Sequence, residues 1–351
     1  MKRKGRGLRW FVEKSDTRND FFPDRRLYAP RNLAGLTGKG AQVGISAAKN
    51  IQGGDRMDKY EKIAAMWREW KVETAADIDL RLHNFRILFA YHSGKIENPD
   101  VTYSDTREIF ENGRVVNYTG EPGAVFELKN QKLCYEFLKH KIAAREPLTA
   151  ELVKETHAIL TGGTYDERRY VERGERPGAF KKHDYVTGRE EVGSMPEDVP
   201  ADVDFLLGEI RDFGGKEIIK AAAYFHARFE YIHPFADGNG RVGRTLLNYF
   251  LMINGHPPVI VHDEDRAGYY AALEAYDRTE DISPLCGFLV SQTEKTWEKS
   301  LEREERRAAR PVSDQAGGIP SVIRRIRTAQ KETREQPCTA PANKRRDEPE
   351  R

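Results

Sequence analysis

Between His233 and Arg244 the chain reads HPFADGNGRVGR, and nearly every side chain there either carries chemistry or makes room for it. The Gly-Asn-Gly run at 238–240 lets the backbone turn tightly just where a helix resumes. The first N–H groups of a helix lack internal partners, and the helix dipole is positive at that end. Such a turn is a nest for an anion, phosphate above all. Arg241 and Arg244 stand three apart on one helix face, and their forked donors can take further phosphate oxygens. Asp237 is a hard oxygen ligand, and a carboxylate beside polyphosphate holds Mg²⁺ rather than phosphate itself. His233 is of the residue type whose neutral imidazole takes a proton from a hydroxyl near pH 7. Together these groups read as a nucleoside triphosphate site with a general base at its edge. Singly, each has a plainer reading: a turn between helices, a packed histidine, a turn proline in Pro234 and a core ring in Phe235.

A helix is needed on each side of that loop. KEIIKAAAYFHARFEYIH precedes it, with Ile218, Ala222, Phe225 and Phe229 on one face, and RVGRTLLNYFLMING follows, apolar enough to run through the core. His226 and Asn248 in these two helices read as polar packing groups, and Tyr269, Tyr270 and Tyr276 further on as core or pocket. Upstream, an amphipathic helix starts near Asp58, with Tyr60, Ile63, Ala64 and Trp67 inward. Residues 75–98 read as one further helix with Ile78, Leu82, Phe85, Leu88 and Phe89 inward. It must stop by Asn98, because Pro99 disfavours helical geometry in the residue before it. A loop is expected through residue 123. A helix on Val125, Leu128, Leu133, Phe137 and Leu138 follows it, then one from Thr149 to Gly162–Gly163. At 177–200 the 3.6-residue period disappears and the text turns β-leaning, which predicts a small hairpin. Helices resume at residue 201 and again after 265, and the architecture is therefore mostly α with one hairpin.

Composition agrees with a polar, non-membrane protein. The chain has 351 residues, 32% charged, with a formal net charge of +2 and a mean hydropathy of −0.72. Nothing approaches the run of about 18 apolar residues that a span needs. The basic start lacks an apolar run behind it and does not read as a signal peptide. Cys134, Cys286 and Cys338 are too scattered for a disulfide framework or thiolate metal site, and with the missing signals they imply a cytoplasmic protein. The basic stretches at 1–31 and 323–327 read as solvated surface.

At the residues quoted first, the chain resembles the Fic (Fido) family. Its signature, His-Pro-Phe-x-(Asp/Glu)-Gly-Asn-Gly-Arg-x-x-Arg, is filled at His233, Pro234, Phe235, Asp237, Gly238, Asn239, Gly240, Arg241 and Arg244. The resemblance covers residues 60–290 or thereabouts. It implies a helical fold with a β-hairpin flap, and a protein adenylyltransferase that moves AMP from ATP to a Ser, Thr or Tyr hydroxyl of a target protein. His233 would take the hydroxyl proton and Asp237 would hold Mg²⁺. The backbone of Gly238, Asn239 and Gly240 would cradle phosphates, and Arg241 and Arg244 would bind the outer ones, Arg244 the γ-phosphate. The flap at 179–188, with Phe180, Lys181, Lys182, His183, Asp184 and Tyr185, would pair with the target's extended backbone. Lys182 and His183 taken alone are also readable as solvated surface.

Many family members carry an inhibitory helix of pattern (Ser/Thr)-x-x-x-Glu-(Gly/Asn), here filled by Ser93, Glu97 and Asn98. A carboxylate in a last helical turn meets the negative end of the dipole and gains nothing locally, so Glu97 wants a cationic partner elsewhere. The resemblance names Arg244. The implied organisation is an arm at 1–55, a helical region at 56–145 with the inhibitory helix at about 78–98, a Fic core at 146–290 with its loop at 233–244, and a C-terminal helix and disordered-looking tail at 291–351. UMP or GMP transfer, AMP removal and a DNA-binding regulator are the alternatives. Phosphoryl transfer is set aside because Gly240 is intact where kinase-like relatives carry lysine. Self-modification is expected from the family, and a homodimer is left open.

Overall fold

The apolar stripes of the sequence become helices in the order read. The structure, a computed structural model, describes residues 54–115, 122–185, 193–211 and 217–309. The arm before residue 54, the flap tip from 186 to 188, Cys338 and the tail after 309 lie outside the described residues.

Helix α1 (Gly54–Glu69) buries Tyr60, Ile63, Ala64 and Trp67. The segment expected as one helix is two, α2 (Ala75–Arg81) and α3 (His83–Glu97). A capping box between Thr74 and Asp77 starts α2, and the helix breaks at Leu82, whose φ of −99° and ψ of 12° leave the helical region. Leu82 is buried at that joint. As expected, α3 ends before Pro99, with Asn98 extended. The long loop expected next contains α4 (Tyr103–Asn112), opened by the Thr102 cap on the Asp105 N–H and closed by Gly113 at φ 70°. A Thr-x-x-Asp start and a glycine stop were legible there, without a strong apolar stripe between them.

Helix α5 (Pro122–Ala143) turns Leu128 and Leu138 inward as expected, with Val125 and Phe137 packed beside them, but one position departs. Leu133 is 49% exposed, whereas Asn130, Gln131 and Cys134 are buried. Asn130 can be inside because its amide donates to the Leu160 and Gly162 carbonyls, at 3.2 and 2.8 Å, beyond the end of α6 (Ala150–Leu160). Thr149 caps α6 as read, accepting from the Leu152 N–H at 3.1 Å.

Helices α7 (Val199–Arg211), α8 (Ile218–Ile232), α9 (Asn239–Ile253), α10 (Arg266–Thr279) and α11 (Ser283–Ala308) complete the described fold. Trp297 of α11 stacks on Phe85 of α3 and lies 5.4 Å from Trp67 of α1, which ties the N-terminal helices to the C-terminal one. No strand occurs among the described residues. In particular, 179–185 is not the first arm of a β-pair: Lys181 donates its N–H to the Pro234 carbonyl and Lys182 donates to the Glu175 carboxylate, so these ladder donors are already used. Helix α9 is the axis, buried at every residue from 241 to 250, and touches α3, α5, α6 and α8. Its N-terminus carries the loop that began the sequence reading.

Candidate active site

Helix α8 ends by placing His233 in the left-handed region, φ 50° and ψ 62°, with its N–H on the Phe229 carbonyl at 3.0 Å. Histidine tolerates that conformation better than branched residues do. Burial, then the positive charge of Lys181, pushes the His233 imidazole down to about 4. The Glu230 carbonyl opposes that shift only in part, and a neutral imidazole keeps a lone pair on one nitrogen. The base is therefore neutral well below pH 6, and the loss of base at acid pH expected from an ordinary histidine is displaced downward.

The following turn is stapled by its own asparagine. The Asn239 side chain accepts from the Phe235 N–H at 2.9 Å and donates to the Phe235 carbonyl at 2.8 Å. This explains why the cradle needs asparagine between its glycines. Gly238 sits at φ 79°, a conformation that costs other residues energy, and caps α9 with no side chain on the first N–H groups. One oxygen of Asp237 accepts the Gly238 N–H at 2.8 Å; the other stands 4.0 Å from Arg241.

Arg244 is 2% exposed and multiply bonded. Its Nε donates to Ser93 Oγ at 3.0 Å, and its Nη2 donates to the Ser93 carbonyl at 3.1 Å and to Glu97 Oε1 at 2.7 Å. Glu97 is enclosed by many protein atoms yet keeps 37% of its side chain open to water. Burial opposes its ionisation, but the charge and hydrogen bond of Arg244, with the charge of Arg241, outweigh that and hold the carboxyl below its ordinary value. A Cβ on Gly240 would come within 2.5 Å of Glu97 Oε1 and 2.9 Å of Arg244 Nη1. The carboxylate thus lies against the mouth of the helix, where an anion is favoured.

Arg241 differs. Its Nη1 stands 2.9 Å from Glu127 Oε1 of α5, an ion pair out of line for a hydrogen bond, and its buried Nε has no hydrogen-bond partner. Burial raises the Glu127 carboxyl, with Arg241 opposing. Behind α9, His226 bonds Tyr269 at 2.7 Å, and Asn248 pairs with both main-chain groups of Val259 at 2.7 and 2.8 Å, packing roles as read. Glu230 has a buried oxygen without a partner, and burial pushes its carboxyl up to about 7. The aromatics at 269 and 276 are buried core, whereas Tyr270 is 48% exposed.

The flap residues divide. Lys181 is buried and Phe180 lies 5.6 Å from the Phe235 ring. The fully buried Glu175 carboxylate takes the Lys182 N–H, the His183 ring at 2.9 Å and the Tyr185 hydroxyl at 3.1 Å. Asp184 is exposed. Glu127, His157 and Glu175 were not found by reading the sequence; each meets the motif or flap only through folding.

These residues fit a triphosphate with a divalent cation. Arg241 keeps a buried Nε without a partner, Gly240 carries no side chain at the helix mouth where the Glu97 carboxylate now lies, and Asp237 presents a hard oxygen outside a hydrogen bond. The sequence profile described as the Fic/DOC family matches residues 147–251. That stretch, which holds the loop and nearly all of both its helices, is similar to a Fic/DOC domain. Over 221 residues, 60% of this chain, the sequence is 30% identical to the protein adenylyltransferase Fic of Drosophila willistoni, of which the match covers 41%. The protein of that name from Nematostella vectensis is 33% identical over 220 residues, 60% of this chain and 48% of its own length. The chain therefore matches less than half the length of these relatives. Among solved structures, a Fic-domain-containing signaling protein from Bacteroides thetaiotaomicron superposes with a TM-score of 0.61 at 23% identity, covering 70% of this chain and 96% of that one. Fic-1 from C. elegans gives 0.60 at 21% identity, covering 77% and 79%. The helical arrangement is the Fic fold. Among the described residues no helix is long and apolar enough to cross a membrane.

Proposed function

We propose that this Fic-like domain makes the chain a protein adenylyltransferase, moving AMP from ATP to a Ser, Thr or Tyr hydroxyl of a target protein, with its own chain as one acceptor and Glu97 as a built-in brake. One observation carries the reading. A neutral, half-buried imidazole, a carboxylate and an arginine whose buried Nε lacks a partner stand in the loop and first turn of one helix N-terminus that has no side-chain cap.

The chemistry follows from those groups. The free ring nitrogen of His233 accepts the proton of the acceptor hydroxyl, whose oxygen bonds to the α-phosphorus of ATP. The bond from that phosphorus to the bridging oxygen breaks, and pyrophosphate leaves. The N–H groups at 239–241 and the Arg241 donors stabilise charge developing on the phosphates. Asp237 would hold a divalent cation, which supplies further charge neutralisation when bound. Arg244 is the group for the terminal phosphate, and Ser93 and Glu97 now occupy its donors. Asn98, the last residue of the inhibitory pattern, ends the helix that presents them.

The test is intact mass and peptide mass spectrometry of the full chain and added cell extract after incubation with ATP and Mg²⁺. Glu97→Gly should give AMP adducts above the wild type, and Glu97→Gly with His233→Ala none. Adducts from UTP or GTP alone would move the donor; none from any nucleotide would end the enzyme reading.

A further inference from the structure

His157 is wholly buried and belongs to no part of the machinery so far described. Its ring lies flat on Phe235, with centroids 3.7 Å apart and planes 2° from parallel. Its two nitrogens face two different segments. Nδ1 meets the main-chain N–H of Gly178, at the root of the flap, at 2.8 Å. Nε2 meets the main-chain carbonyl of Asp237 at 3.1 Å.

The proton can be placed without ambiguity. An amide N–H only donates, so Nδ1 must be the acceptor, and a neutral ring then carries its proton on Nε2. The Asp237 carbonyl only accepts and is the nearest acceptor to Nε2. The hydroxyls of Tyr165 and Thr161, at 3.2 and 3.4 Å, are farther, and that of Thr161 already donates to the His157 carbonyl at 2.8 Å. The ring thus grips the backbone of the residue whose carboxylate fits a divalent cation, and does so from α6, outside the signature loop.

We infer that His157 is a positioning residue: by donating to the Asp237 carbonyl it fixes the direction in which the Asp237 carboxylate meets a divalent cation. The inference rests on the proposed reading of Asp237. Groups that orient a metal ligand are worth about 10- to 100-fold in metal affinity. The acceptor side of the ring serves the flap root instead, so the two nitrogens have separable consequences.

Two amide substitutions separate them, and both leave a polar side chain in the buried site. Gln places an N–H near the position of Nε2 and gives up the Gly178 acceptor; Asn places a carbonyl near Nδ1 and gives up the Asp237 donor. In the full-length Glu97→Gly chain, ATP binding is measured by calorimetry across a Mg²⁺ titration, with thermal melts as controls for folding. His157→Asn should raise the Mg²⁺ needed for half-maximal ATP affinity by about tenfold. His157→Gln should leave it within a factor of two or so, and ATP affinity without Mg²⁺ should be the same in both. Equal Mg²⁺ requirements in the two variants would overturn the inference, since a merely structural histidine affects binding with and without metal alike. Should either variant lose its native melt, His157→Phe, which retains the stack on Phe235 but not the donor, is titrated against the Glu97→Gly parent: a raised Mg²⁺ requirement supports the inference and an unchanged one overturns it. A Glu97→Gly parent that binds no ATP, or binds it without any response to Mg²⁺, would defeat the reading of the site itself, an outcome seen before any His157 variant is made.

Discussion

The two arginines of the loop sit one turn apart on α9 and have opposite company. Arg244 has its Nε and Nη2 donors committed to Ser93 and Glu97 from α3. Arg241 has a carboxylate at ion-pair distance, yet two of its buried nitrogens lack hydrogen-bond partners. Both are cations in nearly dry surroundings, and each has an acid beside it. The difference lies in geometry. A guanidinium bonded through its fork is satisfied and must be released before it can serve a ligand. One held by proximity alone keeps directional donors for an incoming phosphate. The contrast assigns restraint to Arg244 and readiness to Arg241.

The largest test of that contrast is Arg244→Ala. It deletes a buried cation and strands Ser93 and Glu97, and chemical denaturation should show a loss of about 3 kcal/mol, the low end for a broken buried pair because Glu97 retains water. Next is Glu97→Gly, in which activity and stability should move in opposite directions. AMP transfer should rise about tenfold while stability falls by about 1 kcal/mol, measured by labelled-ATP incorporation and by melting. A fall in both would dissolve the contrast. Glu127→Gln should act more weakly. With its neighbouring charge neutralised, Arg241 should bind ATP about threefold more tightly in the Glu97→Gly chain, with stability changed by less than about 1 kcal/mol. The smallest expected effect is that of mild acid on the rate. His233 is neutral above about 4, so transfer should be flat from pH 8 to pH 6 and fall only as pH nears 4. The same burial shows in stability instead. His157 and His226 are depressed to about 3, and His233 and His256 to about 4, from an ordinary 6.5. Below pH 6.5 the unfolded chain binds protons that the folded one refuses. The melting temperature should therefore hold above that pH and drop steadily towards pH 4.

How far the sequence could be read follows from what is local. The loop is contiguous, so its turn, its helix start and its arginines follow from residue types within twelve positions or so. The apolar stripes that make α8 and α9 are equally local. Glu97 and Arg244 are 147 positions apart, and only a family resemblance could join them beforehand. No such pattern names Glu127 or Glu175, since a glutamate on a helix or in a loop looks like any solvated one until the fold brings its partner. His157 had a weak cue: a histidine on the stripe of an amphipathic helix, beside Val153 and Leu160, which are buried. Leu133 misled for a related reason. The face of α5 is set by what Asn130 can satisfy beyond α6, a long-range bond that hydrophobicity does not encode. The absence of strand at 179–185, among the described residues, is the same lesson in backbone terms, because the donors of Lys181 and Lys182 had better acceptors nearby.

The interruption at Leu82 gives α3 a mechanical character of its own. The preceding α2 is moored to α5, where Asp79 takes the Lys139 ammonium and the Tyr135 hydroxyl at 2.8 and 2.9 Å. A helix of fifteen residues is a rod about 22 Å long. Swung about that joint by only about 5°, its far tip travels about 2 Å over such a length. A 2.7 Å contact at the tip would not survive that swing. Any such swing would also have to carry Phe85, Ile87, Ala90 and Ile96, all buried on the same rod, so the latch is held as firmly as the packing behind it.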